Sequence, residues 1–402
     1  MPGFFPFDEE LRTRAIMDLS LNEEQKMIAE SAAVFLQEKS SSAQVRKVSE
    51  TEGGLDRALW QEVVEMGWCS VALPEAAGGM GLGLRELVLL QEKMGYHLAC
   101  VPFFDAVVAV TPLWQALSQT EAGLPVVERL AASGQICVLG MTVRGELPAA
   151  ATVKVEGATG DQLVLNGQWG QVGSGSHADV FLLPATLPCG SLGLLEVSAK
   201  AEGLSVQALK TMDATRSSAN VTATNVKLTG AAVLIHGEAL TKLWAQTRNV
   251  AAIGLAAEQV GVAERALDLA VEYTKERQQF GKAVGSFQGV KHRAAQMLVK
   301  VETARSAVYA AAFIADSAGE STDLTYFAAQ ARTDATEAAL FSTRESIQLH
   351  GGVGFTWEFD PHLFFRRAQA SSQRMGTVEQ WREQIAARLL DEAAEDQMAE
   401  AA

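Results

Sequence analysis

Tyr273-Thr274-Lys275-Glu276-Arg277-Gln278-Gln279-Phe280-Gly281-Lys282-Ala283-Val284-Gly285-Ser286-Phe287-Gln288 joins two long apolar runs through the turn Phe280-Gly281. The runs, residues 243–277 and 288–317, read as helices too long and too apolar to stand alone. Arg277 is one of few cations in a neighbourhood rich in Ala, Val and Leu. Its planar guanidinium suits a phosphate or carboxylate better than an ammonium would. Taken alone, an arginine at a helix end is more often a cap or an ion-pair residue. The rest of the chain shifts that balance.

Downstream, residues 324–349 and 378–393 complete a set of four long helices, which predicts an antiparallel bundle. Gly351-Gly352-Val353-Gly354 ends the third helix, where glycine is the expected terminator, and the Ala/Glu-rich tail after Asp391 is expected to fray. Upstream, residues 1–18 read as an arm. The first clear helix begins at Leu21-Asn22-Glu23-Glu24, with Asn22 as N-cap and acidic residues in the first turn. Helical periodicity recurs over 34–39, 59–66, 84–94, on to about Leu117, and over 126–133. The glycine-rich stretch from Leu73 to Leu82 reads most simply as a turn.

The texture changes at about Gly134. Short β-branched runs at 136–142, 151–156, 162–166, 179–183, 192–197 and 221–228 predict strands, and Asn166-Gly167 is a hairpin signal. The expected architecture is therefore α+β and multidomain. It has an N-terminal arm and helical domain (1–133), a middle β-barrel or sandwich (134–235) and a C-terminal four-helix bundle (236–402).

Composition narrows the function. With 33 Lys and Arg against 48 Asp and Glu, the net charge of −15 argues against a nucleic acid or an anionic membrane as partner. It leaves room for a phosphorylated ligand on a local cationic site. Cys69, Cys100, Cys137 and Cys189 are scattered without C-x-x-C spacing, which predicts reduced thiols and no metal site. No apolar run approaches a membrane span, and the acidic N-terminus does not read as a signal peptide, so a cytoplasmic protein is expected.

Leu73-Pro74-Glu75 with Gly78-Gly79-Met80-Gly81-Leu82, Arg277-Gln278-Gln279-Phe280-Gly281 with Gln288, and Gln348-Leu349-His350-Gly351-Gly352-Val353-Gly354 occur in that order. Together with the helical, β, helical arrangement they resemble the L-P-E-x-x-G-G-x-G, R-x-x-F-G…Q and Q-x-x-G-G-x-G elements of acyl-CoA dehydrogenases, over roughly residues 21–390. The resemblance implies an α,β-dehydrogenation of an acyl-CoA thioester. A carboxylate takes the α-proton while hydride passes to FAD, with an electron-transferring flavoprotein as the eventual acceptor. It further implies that Arg277, Phe280, Gln288, Gln348, Gly351 and Gly352 contact a FAD belonging to a neighbouring subunit. Arg277 would meet the pyrophosphate, and the glycines would lie where backbone approaches the nucleotide closely.

The departures sharpen this reading. The family's Y-E-G-T segment, whose Glu is the usual base, aligns so that Met375 takes the base position, while Thr377 retains the threonine. An alternative base position on the preceding helix falls on Ala251, with Ala252 beside it. The flavin-side T-E-P-x-x-G-S-D becomes Thr142-Val143-Arg144-Gly145-Glu146-Leu147, in which only Thr142 fits, and W-I-T becomes Gln171-Val172-Gly173. Trp169, two residues earlier, is expected to share that strand face. The chain thus resembles the base-lacking subunit of bacterial α2β2 acyl-CoA dehydrogenases acting on steroid side-chain CoA thioesters. Such a subunit contributes to a sister chain's FAD site and has no catalytic base of its own. Two alternatives are a homo-oligomeric flavoenzyme with a displaced base and a non-catalytic acyl-CoA-binding scaffold. Glu258 and Glu379 are the nearest substitute bases; both, with Glu264, more simply read as interhelical or surface carboxylates. His350 reads as a cap or packing residue, His292 as surface, and Arg216 as structural.

Overall fold

The computed structural model describes residues 19–51, 53–142, 144–145, 151–156, 162–317 and 322–400; the arm expected over 1–18 lies outside them. The chain begins with α1 (Glu23–Lys39), α2 (Ser42–Ser49), α3 (Arg57–Glu65), α4 (Leu84–Tyr96), α5 (Phe103–Ala106), α6 (Thr111–Ser118) and α7 (Leu124–Ser133). Asn22 caps α1 reciprocally: its side chain accepts from the Gln25 N–H at 2.8 Å, and Gln25 accepts from the Asn22 N–H at 3.1 Å. The 73–82 stretch closes on itself through Gly79 N–H to Pro74 O and Gly81 N–H to Leu73 O, as a plain turn would.

The middle strands are β1 (Cys137–Leu139), β2 (Thr152–Glu156), β3 (Gln162–Gly173), β4 (Val180–Thr186), β5 (Leu192–Ser198), β6 (Leu204–Ala208), β7 (Ser218–Thr229) and β8 (Val233–His236). They form one sheet in the order β6-β7-β3-β2-β4-β5-β8, with β1 parallel to β4. Asn166-Gly167 is not a hairpin turn. It lies inside β3, at a bulge where the pairing slips between Leu165–Val226 and Gly167–Ala223. Asn166 accepts from the Asn225 N–H at 2.8 Å, and a Cβ on Gly167 would press on Ala151. The glycine serves close approach, not a turn. The short strands β6 and β8 were not expected.

The C-terminal part comprises α8 (Gly237–Glu276), the small hairpin β9 (Gln278–Gln279) and β10 (Lys282–Ala283), then α9 (Gln288–Ser317), α10 (Thr322–His350), α11 (Pro361–Ser372) and α12 (Val378–Glu400). Every residue of α8 from Asn249 to Ala263 is buried, so this helix, ~60 Å long, is an axis of the molecule and not an amphipathic cover. It packs closely on α4. A Cβ on Gly95 would collide with Glu258 O, and one on Gly261 with Glu92 O. Two expectations are corrected here. The short helix α11 adds to the four long ones, and α12 runs through Glu400, beyond the expected end at Ala393. One continuous apolar core runs from Leu36 in α1 through Phe181 in β4 to Phe364 in α11. No helix among the described residues is long and apolar enough to cross a membrane.

Candidate functional site

The antiparallel course of α8, α9 and α10 brings the end of α8, the start of α9 and the end of α10 together. Tyr273 stacks on His350 with centroids 4.4 Å apart, and Arg293 pairs with Glu345. Six of the expected cofactor residues therefore meet on one end of the bundle: Arg277, Phe280, Gln288, Gln348, Gly351 and Gly352. All six are exposed. Arg277 is the C-cap of α8 through its backbone N–H to Tyr273 O. Its guanidinium has no ion pair or hydrogen bond among the described residues, so the ion-pair reading does not hold.

The hairpin beside it is strained. β9 and β10 pair Gln279 with Lys282 and Gln278 with Ala283, which leaves Phe280-Gly281 as a two-residue turn with φ of +53° and +78°. Both residues are left-handed, as a type I′ turn requires. For Phe280 this costs roughly 1–2 kcal/mol, yet its side chain is 92% exposed, with its ring edge-to-face with Phe287 at 6.2 Å between centroids. Gly351 is also left-handed (φ +66°), and a Cβ on either Gly351 or Gly352 would meet nothing within 4 Å. The backbone there is open to a second molecule. Between Tyr273 and Arg293 lie five cations (Lys275, Arg277, Lys282, Lys291, Arg293) and one carboxylate, Glu276. This end is positive on an acidic chain, more so than the apolar surroundings of Arg277 suggest.

Thr377 is elsewhere. It caps the start of α12: the Gln380 N–H donates to Thr377 Oγ1 at 3.4 Å, and the Thr377 N–H donates to Gln380 Oε1 at 2.9 Å. Nearby Trp381 packs on Ala252 and Ala329. The stretch of α10 from Ala329 to Gln348 spans roughly 28 Å, so Thr377 cannot join the Arg277 cluster in a shared local contact.

Around Thr377 the chemistry is closed. Met375 is buried and left-handed (φ +58°), its carbonyl takes the Trp381 Nε1–H at 2.8 Å, and its thioether cannot accept a proton. Ala251 is wholly buried. In front of Met375, Arg374 donates to Asp105 at 2.5 Å, and Ser174 Oγ donates to the other oxygen of Asp105 at 2.7 Å. A Cβ on Gly173 would clash with both Asp105 and Arg374. What remains is a cavity of about 30 Å³, walled by Thr142, Gln171, Arg374 and Met375, enough for a water. Val143, Glu146 and Leu147 lie outside the described residues.

Trp169 does not share a face with Gln171. The register slips between Trp169–Val221 and Val172–Ala219, and Gln171 is left-handed (φ +56°), so the alternation breaks. Trp169 is buried in the sheet with its Nε1–H on Pro184 O at 3.2 Å, and Gln171 is exposed.

Glu258 is neither surface-facing nor free. It is buried against Arg216 and takes hydrogen bonds from Gln91 (3.1 Å) and Ser371 (3.2 Å), with Arg367 at 3.7 Å. Burial alone would raise its pKa, but Arg216 and Arg367 outweigh burial and hold the carboxyl below the usual range. Glu264 lies 3.0 Å from Arg305. Glu379 is exposed, its pKa lowered by its own backbone N–H and by Thr377 at the start of α12. His292 is exposed, whereas His350 is buried on Tyr273 with Nδ1 at 2.7 Å from Ser346 O, a packing residue. Arg216 reaches out of the β module to α8. Asp105, Ser174 and Arg374 went unrecognised in the sequence, and Gly173 entered it only as part of Gln171-Val172-Gly173; the four are brought together by the fold.

The chain matches the acyl-CoA dehydrogenase N-terminal domain over residues 22–121 and the acyl-CoA dehydrogenase C-terminal domain over residues 241–390. It is 31% identical to the acyl-CoA dehydrogenase IpdE2 of Mycolicibacterium smegmatis, across 89% of this chain and 96% of that one. Among solved structures it resembles the Tcur3481-Tcur3483 steroid ACAD (30% identity, TM-score 0.80, 93% of this chain and all of that one). It also resembles the ChsE4-ChsE5 complex of Mycobacterium tuberculosis (26% identity, TM-score 0.80, 93% and 99% covered).

Proposed function

The chain belongs to the acyl-CoA dehydrogenase family, FAD-dependent oxidoreductases acting on the CH–CH bond of an acyl-CoA, and we propose that it is one of two unlike subunits of such an enzyme. The observation that carries this reading is the contrast between the two ends of the C-terminal helices. At one end an unpaired arginine, an exposed aromatic and an open glycine backbone are arranged as for a dinucleotide. At the other end both base positions are apolar, and the space before Met375 is filled.

The first end fits FAD. Arg277 would make charge-assisted hydrogen bonds to the pyrophosphate, and Phe280, Gln288 and Gln348 would flank the nucleotide over the backbone of Gly351 and Gly352. FAD supplies the hydride acceptor when bound. The Met375 end does not fit a flavin ring: the carboxylate that lines it among the described residues, Asp105, is already held by Ser174 and Arg374, so no step is drawn through it. Thr377 keeps its capping role. The sister subunit supplies the base and the ring pocket in an α2β2 assembly, which two structural relatives solved as paired proteins support by analogy. Glu258 does not rescue a homo-oligomeric reading, because its oxygens are held by two arginines, Gln91 and Ser371. By likeness to the steroid relative, the substrate class is a steroid side-chain CoA thioester. The electron acceptor is an electron-transferring flavoprotein, and the site of action is cytoplasmic.

Flavin stoichiometry tests this. The chain alone should hold little flavin, and the co-purified pair about one FAD per two chains, as a half-site subunit requires. One FAD per chain in a homomer would overturn the reading.

A further inference from the structure

We infer that Asp105 is the keystone of a closure that fastens the three parts of this chain to one another. Asp105 lies on α5, in the N-terminal helices. Its Oδ2 takes the Ser174 hydroxyl, which follows β3 in the sheet, and its Oδ1 takes the Arg374 guanidinium, which follows α11. One buried carboxylate is therefore shared by all three parts.

The backbone is shaped for this contact. Gln171 and Ser174 are both left-handed, with φ of +56° and +52°, and this bends the end of β3 toward Asp105. Gly173 lies where any side chain would strike Asp105 and Arg374. Non-glycine residues hold such conformations only where the surroundings over-determine them. Phe104, next to the keystone, lies under Arg374 at 5.0 Å and Arg216 at 5.8 Å. Through Arg216 the closure reaches a second shared carboxylate, Glu258 on α8, which also takes Gln91 from α4. Arg332 completes the brace: it donates to Ser371 O at 2.6 Å and Arg374 O at 2.7 Å, fixing the turn from which Arg374 projects. The interior that faces Met375 is thus filled by the chain's own charges.

This inference goes beyond the half-site reading and does not depend on it, because its readout needs no cofactor. Amide hydrogen exchange on the full-length chain in its native assembly reports local opening. Asp105→Asn and Arg374→Gln should each raise exchange about tenfold or more over residues 171–177 and 371–377. The double variant should exchange no faster than Asp105→Asn alone, since the Arg374 link is already lost in that variant. Gly173→Ala, which keeps every charge but displaces the guanidinium, should reproduce the effect, while Arg293→Gln at the exposed pair with Glu345 should not. If a charge variant does not fold, Ser174→Ala removes one arm only and should give the smaller increase confined to 171–177. Wild-type exchange in the single variants, or additive effects in the double variant, would overturn the closure. Flavin content of the assembly is read separately, so failure of the half-site reading would leave this result standing.

Discussion

At the scale of single residues, the chain separates the exposed, unpaired Arg277 from Arg216 and Arg367, which are buried against carboxylates. Arg277→Ala should lower flavin affinity in the assembly by roughly tenfold to a hundredfold, the loss expected for one hydrogen bond to a charged group. Unchanged flavin content in the purified variant would count against its interface role. Met375→Glu alone should give no turnover with acyl-CoA in a homomer, because Arg374 and Asp105 still fill the space before it; normal turnover would show the site to be open. Glu258→Gln should destabilise the chain by about 3 kcal/mol, since Arg216 loses its counter-charge inside the protein while Arg367 keeps Asp213. The sign of the pH effect follows from the depressed pKa values of Glu258 and Asp213. Their contribution is fully present above the unfolded carboxylate value of about 4 and is lost as pH falls through the lower folded value. Urea midpoints measured between neutral and acidic pH should therefore fall more steeply for the wild type than for Glu258→Gln.

Whole elements were easier to read than their details. The long helices were legible because apolar residues recur over many turns, and α9 begins and ends where its pattern does. The short helix α11 was hidden by Arg366 and Arg367, one of which is buried on Asp213 at 2.7 Å and so does an interior residue's work with a surface residue's chemistry. Asn166-Gly167 misled because a turn-favouring pair was used for a bulge inside a strand paired on both sides. The exposed half of the proposed site was reached through the resemblance of the 277–288 and 348–354 motifs, which the fold brings to one end of the bundle. The closed half was not, because Asp105, Ser174 and Arg374 are distant in the chain. The Phe280-Gly281 turn gives a test at this scale. Phe280→Gly should relieve about 1 kcal/mol of left-handed strain, raising the chain's melting temperature slightly while lowering flavin content in the assembly. A variant that gained stability and kept its flavin would show that the phenyl ring has no binding role.

Across the whole molecule, what the three-part fold leaves open is set by which side chains occupy its interior. Here α4 and α8 approach so closely at Gly95 and Gly261 that little room is left between the N-terminal helices and the bundle on that side. Gly261→Ala should force the two helices apart against the Glu92 carbonyl and cost more than about 2 kcal/mol, measured by thermal or urea unfolding. A neutral result would mean that the helices can slide and that the interior is less tightly set than the packing indicates.

The positive end of the bundle has one more consequence. Five cations lie between Tyr273 and Arg293 on a chain whose net charge is −15, so the field at this end of the bundle is more positive than over the chain as a whole. A sister chain with an acidic rim would be turned into register by that field before any surfaces touch. Mixing experiments should then show capture slowing steeply as salt is added, while the lifetime of the formed pair changes little. On the proposed two-subunit reading, that orientation in flight would help the chain meet an unlike partner ahead of its own copies, which repel one another through the same excess of negative charge.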